Sequence, residues 1–170
     1  ITNPGIVPAP VISCIQSNIS NDVTLNWTAV NDPLGTFNSY QVHTVQNGLI
    51  ATINDINTTS FIDLNVNSQN DYFLVSASAC NGNTLTYSDT ISNIFLDLTN
   101  PGNGIAFLQW NDPVSQALTT MNDYYHIYRE YPAGTWTLID SVLFGTNSYQ
   151  DTITICDVFF NYQIVLPNQP

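Results

Sequence analysis

Val23, Leu25 and Trp27 alternate with Thr24 and Asn26, the period-2 pattern of a strand with one buried face. A second run, Ile105-Ala106-Phe107-Leu108-Gln109-Trp110, again ends in Trp. The interval between the two tryptophans matches the length of one small β-sandwich. Around these runs the chain is a series of short segments rich in Val, Ile, Thr, Tyr and Phe, broken by Asn, Asp, Gly and Pro. That profile predicts an all-β protein. Sustained i, i+3, i+4 apolar spacing is almost absent, and the strong helix formers are scarce.

The pattern predicts seven strands in a first unit, over 11–14, 23–27, 40–45, 49–53, 61–64, 72–78 and 84–88. Pro10 marks the first as an edge strand, and Asn47-Gly48 marks a tight hairpin. The order then repeats over 94–98, 105–110, 124–128, 136–139, 148–151 and 162–165, and Asn111-Asp112-Pro113 repeats the loop Asn31-Asp32-Pro33. In this reading 124–128 matches 40–44, 148–151 matches 60–63 and 162–165 matches 72–75. The expected architecture is therefore two tandem sandwiches, residues 1–92 and 93–170, the second lacking its last strand. An open edge of that kind requires a partner from the full protein or a neighbouring copy. If the chain is complete, a segment such as Ile6-Val7-Pro8-Ala9 of a neighbour is a donor for that edge, the alternative in which the chain is a repeating subunit of a surface filament.

Composition narrows the function. Only 8% of the 170 residues are charged and the net charge is −12. There is no Lys, and Arg129 is the only strong base. No basic patch exists to neutralise phosphates, so nucleic acid is excluded as a partner. Anionic membrane surfaces are disfavoured for the same reason, and no run reaches the about 18 apolar residues that span a bilayer. Ile1-Thr2-Asn3-Pro4-Gly5 has neither the basic start nor the apolar core of a signal peptide. The expectation is a mature product or an internal piece of something longer, working outside the cell.

Candidate chemistry is sparse. Cys14, Cys80 and Cys156 fit no metal or redox spacing. Two readings stand, a Cys14–Cys80 disulfide in the first unit or three buried thiols. His43 and His126 lie on equivalent predicted strands with no Ser, Cys or Asp at triad spacing. Glu130 is the only Glu among 13 acids, so turn-forming Asp explains the carboxylates better than glycosidase chemistry does. Catalysis is not expected. Calcium, which takes Asp, Asn and carbonyl oxygens, is the one cofactor considered, at Asn31-Asp32 with Asp71 or at Asp112 with Asp123. Asn18, Asn26 and Asn57 begin formal N-glycosylation sequons. Tyr124, Tyr125, Tyr128, Tyr131 and Trp136 crowd one predicted hairpin. Alternation buries about half of such a set. The rest either cap the sandwich or form a surface for sugars or proteins.

The strand order and anchors resemble the fibronectin type III fold. Trp27 and Trp110 stand at its second-strand tryptophan, and Tyr72 and Tyr162 at its sixth-strand tyrosine. The resemblance implies that each tyrosine hydroxyl bonds back to nearby backbone, and it carries no function by itself. More narrowly, Asn47-Gly48-Leu49-Ile50-Ala51-Thr52-Ile53, Ser88-Asp89-Thr90-Ile91 and His126-Ile127-Tyr128-Arg129-Glu130-Tyr131-Pro132-Ala133-Gly134 resemble tandem modules of large secreted surface proteins of gliding Bacteroidota, exported by the type IX system. That resemblance implies a partner for Cys156 beyond Pro170. It also implies O-glycosylation at the Asp-Ser/Thr-apolar sites of Thr90, Ser141 and Thr152. The expected role is a non-catalytic spacer, adhesion or assembly unit of a secreted or cell-surface protein. Its expected partners are other surface proteins, glycans or copies of itself. The competing class is a carbohydrate-binding accessory module of an extracellular enzyme.

Overall fold

The computed structural model describes residues 5–79, 82–113, 123–155 and 157–167. The described residues form 14 β-strands and no α-helix, in two compact units that divide between Asn93 and Ile94. In unit 1, β1 (Val11–Ser17), β2 (Val23–Thr28) and β5 (Ser60–Asp63) form one antiparallel sheet in the order β1-β2-β5. The second sheet runs β4 (Gly48–Ile53), β3 (Phe37–Thr44), β6 (Asp71–Ser78), β7 (Thr84–Tyr87), and β8 (Ile91–Ser92) continues along the free side of β6. This is the fibronectin type III strand order.

Alternation places the core. Val23, Leu25 and Trp27 of β2 are at most 3% exposed and meet Tyr40, Val42, Tyr72 and Leu74 of the other sheet. Each large aromatic removes about 150–250 Å² from water, on the order of 4 kcal/mol at about 25 cal/mol per Å². At the β3–β4 hairpin only Gly48 takes positive φ, at 75°, and a bulge follows between Val42 and His43.

Unit 2 repeats the plan with β9 (Leu96–Thr99), β10 (Ile105–Trp110) and β13 (Ser148–Thr152) in the order β13-β10-β9. Its other sheet is β12 (Trp136–Leu143), β11 (Tyr124–Glu130) and β14 (Asn161–Val165), ordered β12-β11-β14. Ala106, Leu108, Trp110, Tyr125, Ile127 and Ile164 form its core. Among the described residues β14 pairs with β11 alone.

Three expectations change. First, the match of 124–128 to 40–44 is one residue out of register. Tyr72 pairs with Thr44 whereas Tyr162 pairs with Arg129, so Tyr40 corresponds to Tyr125. A slip of one residue exchanges the faces of a strand. The packing agrees, because Tyr40 stands edge-on to Trp27 at 5.6 Å and Tyr125 edge-on to Trp110 at 5.5 Å. Second, the sixth-strand tyrosines bond to carboxylates of the preceding strand rather than to backbone. Tyr72 donates to Asp63 Oδ2 and Tyr162 to Asp151 Oδ2, each at 2.8 Å. A charged acceptor makes a stronger bond than a neutral carbonyl. Third, Ile6-Val7-Pro8-Ala9 is not a free donor strand. Val7 is 1% exposed in the core of unit 1, its N–H donates to Ser78 Oγ, and its carbonyl accepts from Thr86 Oγ1.

Candidate recognition surface

The faces of β11 are assigned by its pairing. Tyr125, Ile127 and Arg129 turn inward, and Tyr124, His126, Tyr128 and Glu130 turn outward, because Tyr125 and Ile127 are wholly buried. On β12, Leu143 pairs with Tyr124, Ser141 with His126, Leu138 with Tyr128 and Trp136 with Glu130. A bulge between Ile127 and Tyr128 preserves this facing. The outer face of unit 2 thus carries Tyr124, Tyr128, Trp136, Leu138 and Leu143, and the His126 ring lies 6.3 Å from that of Tyr128. Tyr124 is 46% exposed and Trp136 39%. Rings of this kind offer both an apolar face and a polar edge to a ligand.

Of the five aromatic candidates, Tyr124, Tyr128 and Trp136 share this face. Tyr125 does not belong to a surface: it is 0% exposed, its hydroxyl donates to Asp112 Oδ1 at 2.6 Å, and burial pushes its pKa well up. Tyr131 lies past the end of β11, its ring 5.4 Å from Phe160, before a cis bond to Pro132.

Unit 1 presents a related face. His43 stacks on Phe73 at 4.9 Å, Tyr87 lies 6.4 Å beyond Phe73, and Leu49 pairs with His43. Desolvation holds the His43 imidazole below its usual pKa. The signal was present: His43 and Phe73 alternate with inward Val42 and Leu74, which leaves both rings outside.

The remaining candidates are placed as follows. Ser141 is exposed on the aromatic face of β12 and Thr152 is exposed at the end of β13, whereas Thr90 is half-buried. Cys14 is a free thiol of intermediate exposure on β1. Cys80 and Cys156 lie outside the described residues, and with them the expected pairing. Of the carboxylates considered for calcium, Asp32, Asp71 and Asp112 accept hydrogen bonds from neighbouring side chains or backbone. Asp32 accepts from the Phe37 N–H and the Thr36 hydroxyl, bonds that hold its pKa down. Asp71 accepts from Ser92 and Gln46, and Asp112 accepts from Tyr125. No group of three or more His, Cys, Asp or Glu among the described residues could hold a metal ion. Asn18 is tied into its own turn, its Oδ1 accepting from the Ser20 and Asp22 N–H groups. Arg129 is paired: its Nη1 donates to Asp151 Oδ2 at 2.8 Å, and its guanidinium lies 5.3 Å over the Phe160 ring. No described helix is long and apolar enough to cross a membrane.

No family model and no curated protein matches the chain. Solved structures resemble it at low identity. The central fibronectin-III array of RIM-binding protein is 13% identical with a TM-score of 0.43, covering 96% of this chain, which spans 64% of that one. A two fibronectin type-III domain segment from chicken tenascin is 15% identical with a TM-score of 0.34, covering 94% and 90%. The chicken CNTN1 FN1-FN3 domains are 8% identical with a TM-score of 0.38, covering 95% and 59%.

Proposed function

We propose that this chain is a non-catalytic adhesive and spacing module of a secreted or surface-displayed bacterial protein, of the type IX-exported kind that its sequence resembles. Two hydrophobic cores supply the scaffold, and the outer face of β11 and β12 supplies the contact. The observation that carries the reading is the gathering of Tyr124, Tyr128 and Trp136 on that face by the strand register. Aromatic residues are enriched in recognition patches while charged ones are depleted there. An acidic chain with one Arg limits unspecific attraction to anionic surfaces. The exposure of Ser141 and Thr152 supports them over Thr90 as acceptors of O-linked sugar. An intact-mass measurement on protein from the native host tests that assignment.

The test of adhesion is retention of the chain on glycan arrays and on immobilised surface proteins. Replacing Tyr124 and Trp136 together by Ala is expected to reduce retention about tenfold, the loss of roughly one anchor residue, with unchanged thermal unfolding. Unchanged retention removes the recognition role and leaves a spacer. The exposed Trp and Tyr rings also suit a second reading, a carbohydrate-binding accessory module of an extracellular enzyme. Saccharide binding that is lost in the double variant, with no binding to surface proteins, selects it.

A further inference from the structure

Glu130 is the only Glu of the chain, and on the outer face of β11 it stands opposite Trp136 of β12 and Asn161 of β14. Its Oε2 accepts from Asn161 Nδ2 at 2.6 Å and its Oε1 from the Gly134 N–H. Both donors are neutral, so the carboxylate is fixed in place while its charge is left unpaired. The Asn161 and Gly134 bonds hold its carboxyl below the usual carboxylate range. The fold does not demand this residue. Thr44 of unit 1 corresponds to Arg129, so an exposed Val45 stands where unit 2 has Glu130. Trp136 is 39% exposed, and Tyr128, two residues before Glu130, lies on the same face. Directly opposed side chains have Cβ atoms about 5 Å apart, so one planar cation can meet the indole and the carboxylate together. The ring attracts a cation through its quadrupole, Trp most strongly, and the carboxylate adds charge-assisted hydrogen bonds. The chain already seats its own guanidinium in this way, with Arg129 on Asp151 at 2.8 Å and 5.3 Å over the Phe160 ring.

We propose that Glu130, Trp136 and Tyr128 form a receptor for an arginine side chain of a partner protein. The proposal rests on the recognition role of the β11–β12 face and names what that face takes. Charge complementarity selects the occupant. The chain carries a net charge of −12 and no Lys, and its one Arg is held by Asp151 and Phe160. A second copy therefore has no side chain to offer, and the arginine comes from a different polypeptide. A neutral sugar would use the rings but has no charge to set against Glu130. Arginine suits the site better than lysine, because a guanidinium forks onto a carboxylate and stacks on an aromatic face at once.

The probe is the capped peptide Gly-Arg-Gly-Arg-Gly, titrated into the 170-residue chain at physiological ionic strength while the Trp136 indole N–H is followed by NMR. A twin peptide with citrulline for both arginines keeps the shape and loses the charge. The arginine peptide is expected to bind about tenfold or more tightly than its twin. Glu130→Gln, which keeps an acceptor for the Gly134 N–H, is expected to weaken arginine binding about tenfold. Asp97→Asn makes the same charge change at an exposed site on the other sheet of unit 2 and is expected to alter binding less than about twofold. Equal binding of the two peptides, or binding of neither, overturns the proposal. Equal weakening by the two substitutions also overturns it, because the attraction then belongs to the acidic chain as a whole. Retention on surface proteins or glycans that depends on Tyr124 and Trp136 but not on Glu130 leaves the recognition role and removes the arginine site. Retention indifferent to all three removes both.

Discussion

Asp151→Ala offers the sharpest test of how unit 2 is held together. Asp151 Oδ2 accepts from both Arg129 Nη1 and the Tyr162 hydroxyl at 2.8 Å, joining β11, β13 and β14. The Asp151 side chain is 10% exposed and that of Arg129 28%. Breaking a fully buried pair costs about 3–5 kcal/mol, whereas a fully exposed pair contributes about 0.2–1 kcal/mol. Partial exposure of Arg129 puts the ion pair at about 2 kcal/mol. Losing the phenol–carboxylate bond adds about 1.5 kcal/mol, so Asp151→Ala is expected to cost about 3–4 kcal/mol. Arg129→Met keeps the apolar stem and the Tyr162–Asp151 bond, an arrangement unit 1 tolerates with Thr44 at the corresponding position. It is expected to cost about 1–2 kcal/mol. The double variant should cost less than the sum of the two, by about 1–2 kcal/mol. Hydrogen exchange in urea separates the units, with Leu108 and Ile127 reporting unit 2 and Leu25 and Leu74 unit 1. An Asp151→Ala cost below about 0.5 kcal/mol, strict additivity, or equal loss in unit 1 would refute the reasoning.

Three further outcomes follow from the geometry. Tyr125→Ala is expected to cost unit 2 about 3–5 kcal/mol and Tyr124→Ala under about 1 kcal/mol; similar costs in urea titrations would mean that the register of β11 is wrong. Val7→Asp places a charge at a 1%-exposed site and should destabilise unit 1 by about 3 kcal/mol or more, leaving unit 2 exchange unchanged. Burial raises the pKa of Tyr40, Tyr72, Tyr125 and Tyr162. A folded pKa above the unfolded value of about 10 means stability is complete below pH ~10 and falls as pH rises towards the folded values. Each wholly buried tyrosine contributes a slope of about 1.4 kcal/mol per pH unit there. Urea midpoints from pH 8 to 11.5 should therefore hold and then drop, with Tyr72→Phe flattening the drop in unit 1; a midpoint independent of pH contradicts this.

The alternation of Val23, Leu25 and Trp27, and its return at residues 105–110, was enough to establish an all-β chain with two repeats. Those positions bury by period alone, and the structure finds them at most 5% exposed where they turn inward. The match of residues 60–63 to 148–151 was also legible, because Asp63 and Asp151 pair with Val23 and Ala106 in the same way. Adjacent Tyr124 and Tyr125 were not separable by pattern, since either could face inward in a strand of that composition. Only the pairing with β12 and β14 decides which ring fills the core and which meets solvent. The tyrosine–carboxylate bonds, the sequestering of Val7 and the Asp112 bond to Tyr125 are likewise tertiary facts. Each joins residues from separate elements, and no local periodicity encodes how the strands dock. The sequence by itself determined that the chain is all-β and repeats its plan, and which residues of β2 and β10 turn inward. The tertiary structure alone decided which aromatic side chains are left for a partner, because a shift of one residue in register exchanges core and surface.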